Sequence, residues 1–99
     1  MLTKPVLQDF APYRDAVFRV GESDRHELKL ADLIDRSNAQ LEQFSLIFTC
    51  AALPWLRQGT YTLFHPELTE VVLFLVPIGP VGEEMRYESV FSRFLNNCK

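Results

Sequence analysis

Few residues in this chain have the type and spacing that chemistry needs, and the foremost candidate is a turn histidine. His65-Pro66-Glu67 sets an imidazole two positions from a carboxylate. Such a pair acts as a general base only when the carboxylate orients the ring and both face a pocket. The structural alternative is that a ring nitrogen bonds a backbone group and fixes a turn, which Pro66 favours because its φ is preset and it offers no N–H. The other histidine, His26, stands between Arg25 and Glu27 and reads as a solvated residue at a strand edge. Glu83 and Glu84 are adjacent acids just after Gly82. Paired carboxylates do acid–base work when held roughly 5–10 Å apart across a substrate, and neighbours in a solvated loop are not so held.

Other catalytic and binding motifs do not occur. There is no Gly-x-Ser-x-Gly elbow, no Gly-x-x-x-x-Gly-Lys phosphate cradle and no dinucleotide fingerprint. Cys50 and Cys98 lie far apart and have no histidine at ligand spacing, so the expectation is no catalytic set, no metal and no cofactor. Cys50 closes an apolar pattern and reads as a small buried hydrophobe, whereas Cys98 falls in a polar tail. Trp55 offers contact rather than catalysis. It lies in the longest loop, between Pro54 and Leu56 and near Arg57. An aromatic beside an arginine is typical of interface hot spots, and a lid over one end of a barrel is the other reading.

Composition bounds the frame that must position these residues. The chain has 99 residues, 47% of them hydrophobic and 12% aromatic, enough for one core without disulfides or a metal. One β-rich domain over 1–99 is expected, with a core over about 10–91 and a tail over 92–99. The net charge is −3, with ten basic residues scattered from Lys4 to Lys99, which excludes a general nucleic-acid binder. Met1-Leu2-Thr3-Lys4-Pro5 lacks the uninterrupted apolar run of a signal peptide, so no export signal is expected. The longest apolar run, Val71 to Val76, is too short to cross a bilayer. The expectation is therefore no membrane partner, a cytoplasmic location and free thiols.

The elements follow from periodicity. Val6 to Phe10 suits one helical turn before Pro12, with Leu7 and Phe10 plugging one end of a sheet. Ala16, Phe18 and Val20 alternate before a turn at Gly21–Asp24, and Leu28 and Leu30 flank Lys29. A helix over Leu30, Leu33, Ile34 and Leu41 competes with a strand there, and Ser37-Asn38 favours the strand. Further strands are Phe44–Thr49, Thr60–Phe64, Val71–Val76 stopping at Pro77, and Met85–Phe91, with turns at His65–Leu68 and around Gly79-Pro80 and Gly82. The sum is an all-β, mainly antiparallel fold, a six-stranded meander closed as a small barrel or folded as a sandwich, with a short N-terminal helical turn.

One strand departs from simple alternation. Val71, Leu73 and Leu75 face one way, Val72, Phe74 and Val76 the other, and both sets are apolar. A strand half exposed to water should alternate with polar residues, so the second face needs a cover. The chain itself could supply it through Val6, Leu7 and Phe10 or through Phe94 and Leu95. A protein partner or a second copy is the alternative, because large apolar patches mark interfaces. Val72, Phe74, Val76 and Trp55 are the candidate interface.

Gln58-Gly59-Thr60-Tyr61, His65-Pro66, Leu73-Phe74-Leu75-Val76-Pro77-Ile78-Gly79-Pro80 and Arg86-Tyr87-Glu88-Ser89-Val90-Phe91 together resemble a small bacterial family of unknown function. Phe44-Ser45-Leu46-Ile47-Phe48 is similar to it as well. The resemblance spans roughly Phe10 to Phe91; the segment Cys50 to Leu56 and the extension from Arg93 to Lys99 depart from it. It implies a β-rich domain, carries no activity or catalytic residue to transfer, and hints at an accessory role beside phage-tail-like proteins. In physical terms Tyr61 and Tyr87 suit buried rings with bonded hydroxyls, and Arg86 and Glu88 suit ion pairs with Glu70 or each other.

The leading functional expectation is a non-catalytic structural or protein-interaction module, with a protein partner or self-association. A small-ligand barrel lined by Phe44, Phe48, Tyr61 and Phe91 is the second, and an enzyme using His65 with Glu67 is the third.

Overall fold

The computed structural model describes residues 10–21 and 26–94, with backbone alone for 93 and 94. Six strands follow a 3-10 turn at Ala11–Tyr13: β1 Val17–Val20, β2 Glu27–Asp35, β3 Leu41–Cys50, β4 Gly59–His65, β5 Thr69–Val81 and β6 Glu84–Phe94. They close into a barrel in the order β1-β2-β3-β6-β5-β4, and all neighbours are antiparallel.

Closure decides between barrel and sandwich, and the strand order refines the meander. Two three-stranded meanders, β1-β2-β3 and β4-β5-β6, meet through β3·β6 and β4·β1. The loop after β3 carries the chain across the barrel end, so β4 lies beside β1 in a Greek key. The β4·β1 seam is short, with rungs at Arg19↔Phe64 and Val20↔Leu63. It is continued by the Gly21 N–H, which donates to the Thr62 carbonyl at 2.8 Å. A Cβ on Gly21 would lie 2.7 Å from the Phe64 ring, so glycine lets β1 approach β4.

The ambiguous stretch after Leu28 is a strand. Its register on β3 slips between Leu30 and Asp32. The three-residue step from Leu30 to Leu33 that imitates a helical face is thus a β-bulge, which returns Leu33 to the core side.

Pro77 does not stop β5, contrary to the sequence expectation. The strand runs on to Val81 because it changes partners: Thr69–Leu75 pair with β4 and Val76–Val81 with β6. Since β4 begins at Gly59, opposite Leu75, Pro77 and Pro80 lie where no N–H is required by a second neighbour. A bulge between Pro77 and Gly79 accommodates Gly79 at φ 125°. Gly82, at φ 63°, takes the first position of the two-residue loop joining β5 to β6, as a type II′ turn demands.

The N-terminal turn also differs from expectation. It includes Pro12 rather than ending before it, and proline is tolerated there because the first N–H groups of a helical turn need no intrahelical partner. Phe10 is fully buried and plugs one barrel end, its ring centroid 6.3 Å from Phe44 and 5.8 Å from Phe91. Val6, Leu7 and Cys98 lie outside the described residues. Phe18 meets Phe48 edge-on at 5.8 Å, and Cys50 is buried among them. At the other terminus β6 continues to Phe94, opposite Leu41, so the strand takes in residues expected to belong to the tail.

Phe10→Ala should lower unfolding free energy by about 3–5 kcal/mol, the cost of emptying a buried aromatic site. Phe74→Ala in dilute solution should change it by no more than about 0.5 kcal/mol, as expected of an exposed position. Urea unfolding monitored by circular dichroism measures both, and equal losses would contradict the assignment of inner and outer faces.

Candidate functional site

The outward side of β4, β5 and β6 carries the apolar stripe. Val71, Leu73 and Leu75 are buried in the barrel, whereas Val72 is 52% and Phe74 50% exposed. Thr62 lies opposite Val72 and Thr60 opposite Phe74 on β4. Val90, on the outward face of β6, is 50% exposed. Val76 is half-buried opposite Glu88. Phe10, offered by the sequence as a cover for this face, lies inside the barrel instead. Val6, Leu7, Leu95 and the Phe94 side chain fall outside the described residues.

The neighbouring outer face of β3 is treated differently. Ser45 and Ile47 point outward yet are buried. Arg36, bonded through its N–H to the Gln43 carbonyl, reaches Glu88, which sits opposite Ile47. Their ion pair, 4.0 Å long, therefore crosses β3 above these two residues. Glu88 is thereby taken from Arg86, and the expected pairing of Arg86 with Glu70 or Glu88 is not made. Arg86 is exposed and Glu70 half-buried. Glu70 and Arg86, of opposite sign, thus stand at opposite ends of the stripe, Glu70 across Phe64 from Arg19 and Arg86 beside Glu88.

The loop 51–58 is held by three side chains. His26 Nε2 lies 2.7 Å from the Pro54 carbonyl, the Leu56 N–H donates to Tyr87 Oη at 2.8 Å, and Tyr61 Oη donates to the Arg57 carbonyl at 2.6 Å. Leu56 packs on the core and closes this barrel end. Trp55, 41% exposed, points outward and is not the lid. His26 is only 4% exposed, which overturns its reading as a solvated edge residue. The missed signal is its phase: positions 26, 28 and 30 share the inward face.

His65 fixes its turn. Its Nδ1 accepts the Glu67 backbone N–H at 3.0 Å, and its ring packs 4.9 Å from Tyr13 and 5.2 Å from Phe18. The Glu67 carboxylate instead accepts the Tyr13 hydroxyl at 3.0 Å, so it does not orient the imidazole. That bond, followed by burial and the carboxylate charge, raises the Tyr13 pKa above its ordinary value. The barrel space beside Phe44 and Phe91 that a ligand reading needs is filled by Phe10, which packs against both rings, themselves stacked at 4.7 Å. An open groove of about 400 Å³, which the sequence did not reveal, lies on the outside between Val17, Arg19, Phe64 and Glu70. In it the Arg19 guanidinium rests 4.9 Å from the Phe64 ring centroid. Among the described residues no three His, Cys, Asp or Glu side chains gather into a metal site, and no helix is long and apolar enough to cross a membrane.

The molecule is thus a small closed antiparallel barrel with an apolar stripe on its outer surface. The family model described as Domain of unknown function (DUF6916) matches residues 5–91, and the chain belongs to that family. Searches of curated proteins and of solved structures give no match.

Burial pushes the Tyr87 hydroxyl pKa up, partly opposed by the Leu56 N–H that it accepts. A raised pKa means that the folded state holds this proton more tightly. Its contribution to stability should be full below the ordinary tyrosine value of 10.0 and be lost as pH rises through the folded value. Tyr13 and Tyr87 should both ionise late in an absorbance titration at alkaline pH, the buried Tyr87 together with unfolding. In Tyr87→Phe the step coupled to unfolding should vanish while that of Tyr13 remains.

Proposed function

We propose that the chain is a non-catalytic structural or protein-interaction module that docks through the outward stripe of β5 and β6, built on Val72, Phe74 and Val90. Protein is the partner, rather than nucleic acid or a membrane. One observation carries this reading: a strand whose inner residues fill the barrel holds a valine at 52% and a phenylalanine at 50% exposure on its other face. Covering a large apolar side chain contributes roughly 1.5–3 kcal/mol when burial is complete, and about half of that is open to a partner at each position. Val76 contributes less, being half-buried beside Glu88. Trp55, held outward by its pinned loop, supplies a further contact of the aromatic type that dominates interfaces. Against the enzyme alternative, the His65 ring is engaged by a backbone N–H and the Glu67 carboxylate by Tyr13. A cytoplasmic setting, which keeps Cys50 a thiol, belongs to the same proposal. An accessory role in a phage-tail-like assembly extends it on the family resemblance alone.

Side-chain footprinting with a diffusible radical reagent tests the reading. Phe74 should be labelled readily in the dilute purified chain and several-fold less in intact cells. Val17, exposed on β1, should be labelled equally in both. Equal labelling of Phe74 in the two settings would overturn the docking role.

A further inference from the structure

Resting on the docking reading, we infer that the occupant of the stripe is a second copy of this chain. The two copies are related by a twofold axis that sets Glu70 of each protomer against Arg86 of its partner. The stripe runs along β5 from Glu70, through Val72, Phe74 and Val76, to Gly79, and Arg86 stands opposite Gly79 on β6. At ~3.3 Å per residue, Glu70 and the level of Arg86 lie about 30 Å apart along the strand.

The centre of the stripe, Thr60, Thr62, Val72, Phe74 and Val90, carries no charge. Glu70 and Arg86 differ in sign, and among the described residues neither forms an ion pair; Glu88 pairs with Arg36. A twofold axis perpendicular to the stripe near Phe74 exchanges its ends. It therefore brings acid to base twice and apolar centre to apolar centre, the self-complementarity that an isologous contact requires. Had both ends been acidic, the same operation would oppose like charges. The three half-exposed apolar side chains fall well short of the ~800 Å² per partner typical of stable complexes. The dimer is therefore weak and depends on concentration.

Sedimentation equilibrium from low micromolar to millimolar chain tests this, with circular dichroism confirming that each variant is folded. The wild type should pass from monomer to dimer across that range, and Phe74→Glu should stay monomeric. Glu70→Arg and Arg86→Glu should each weaken dimerisation about tenfold, since each turns two exposed attractions per dimer into repulsions. The double variant should recover most of the loss, and added salt should weaken the wild type but narrow the differences among variants. The charge exchange stands as a test even should Phe74→Glu fail to fold. A wild type that is monomeric throughout, or a double variant no better than the singles, would overturn the second copy as occupant. If Phe74 is still protected in cells, the docking role stands with a different protein in place.

Discussion

A six-stranded barrel has one interior, and the two-residue period of a strand sends only alternate side chains into it. That constraint governs the molecule, because β5 is apolar in both phases and can satisfy only one of them. Closure chooses the phase. The β4·β1 seam, with rungs at Arg19↔Phe64 and Val20↔Leu63 and Gly21 giving room for the Phe64 ring, fixes Leu63 inward. The ladder from β4 to β5 then fixes Val71, Leu73 and Leu75 inward too. Val72 and Phe74 have no choice but the outside. The outer stripe is thus a consequence of barrel closure acting on this sequence.

The two ends of the barrel are closed by segments that are not strands, and each end determines a property of the surface. At one end Phe10 enters beside Phe44 and Phe91, while Tyr13 ties the following turn to Glu67. Phe10 is therefore committed to the interior and cannot shield β5. At the other end Leu56 supplies the plug, held by the Tyr87 hydroxyl and flanked by contacts to Pro54 and Arg57. With the Pro54 carbonyl and the Leu56 N–H both bonded to inward-facing side chains, the Trp55 side chain is left partly exposed. Burying the polar atoms of His26 and Tyr87 would be costly were they unpaired. Here they bond the loop backbone, so the same groups that satisfy the interior also position the exposed aromatic.

Much of this was legible from local pattern. The alternation in Phe44–Thr49 and Thr60–Phe64, the turn chemistry of His65-Pro66 and the doubly apolar run Val71–Val76 all identify elements that exist. What local pattern missed has a common physical origin in long-range pairing. Pro77 reads as a stop unless it is known that β4 has already ended opposite Leu75. Leu30 to Leu33 reads as a helical step unless the bulge opposite β3 is seen. The strand order depends on which edges meet, and periodicity does not record that. Glu88 was expected to pair with Arg86 along its own strand, but its partner Arg36 arrives across β3. The stripe was legible because its signal is carried by consecutive residues; its charged borders were not, because they depend on which ion pairs the fold completes.

A barrel leaves few ways to associate through backbone, which sharpens the meaning of the exposed side chains. Closure removes strand edges along the paired lengths. One stretch of edge on this side is β5 beyond Leu75, where β4 has ended and the strand is laddered only to β6. An edge of this kind would ordinarily invite strand addition. Beside the two-residue loop, however, the flanking pair Val81–Glu84 exchanges its hydrogen bonds, so the next residue along, Pro80, turns its nitrogen away from β6. That nitrogen has no proton to donate, and Pro77 lacks one likewise. The open edge can accept hydrogen bonds but is poor in donors, and the bulge at Gly79 bends it away from a straight template. Strand addition is therefore disfavoured along this edge, and what β5 offers outward is side chains, of which Phe74, half exposed beside Val72, is the bulkiest.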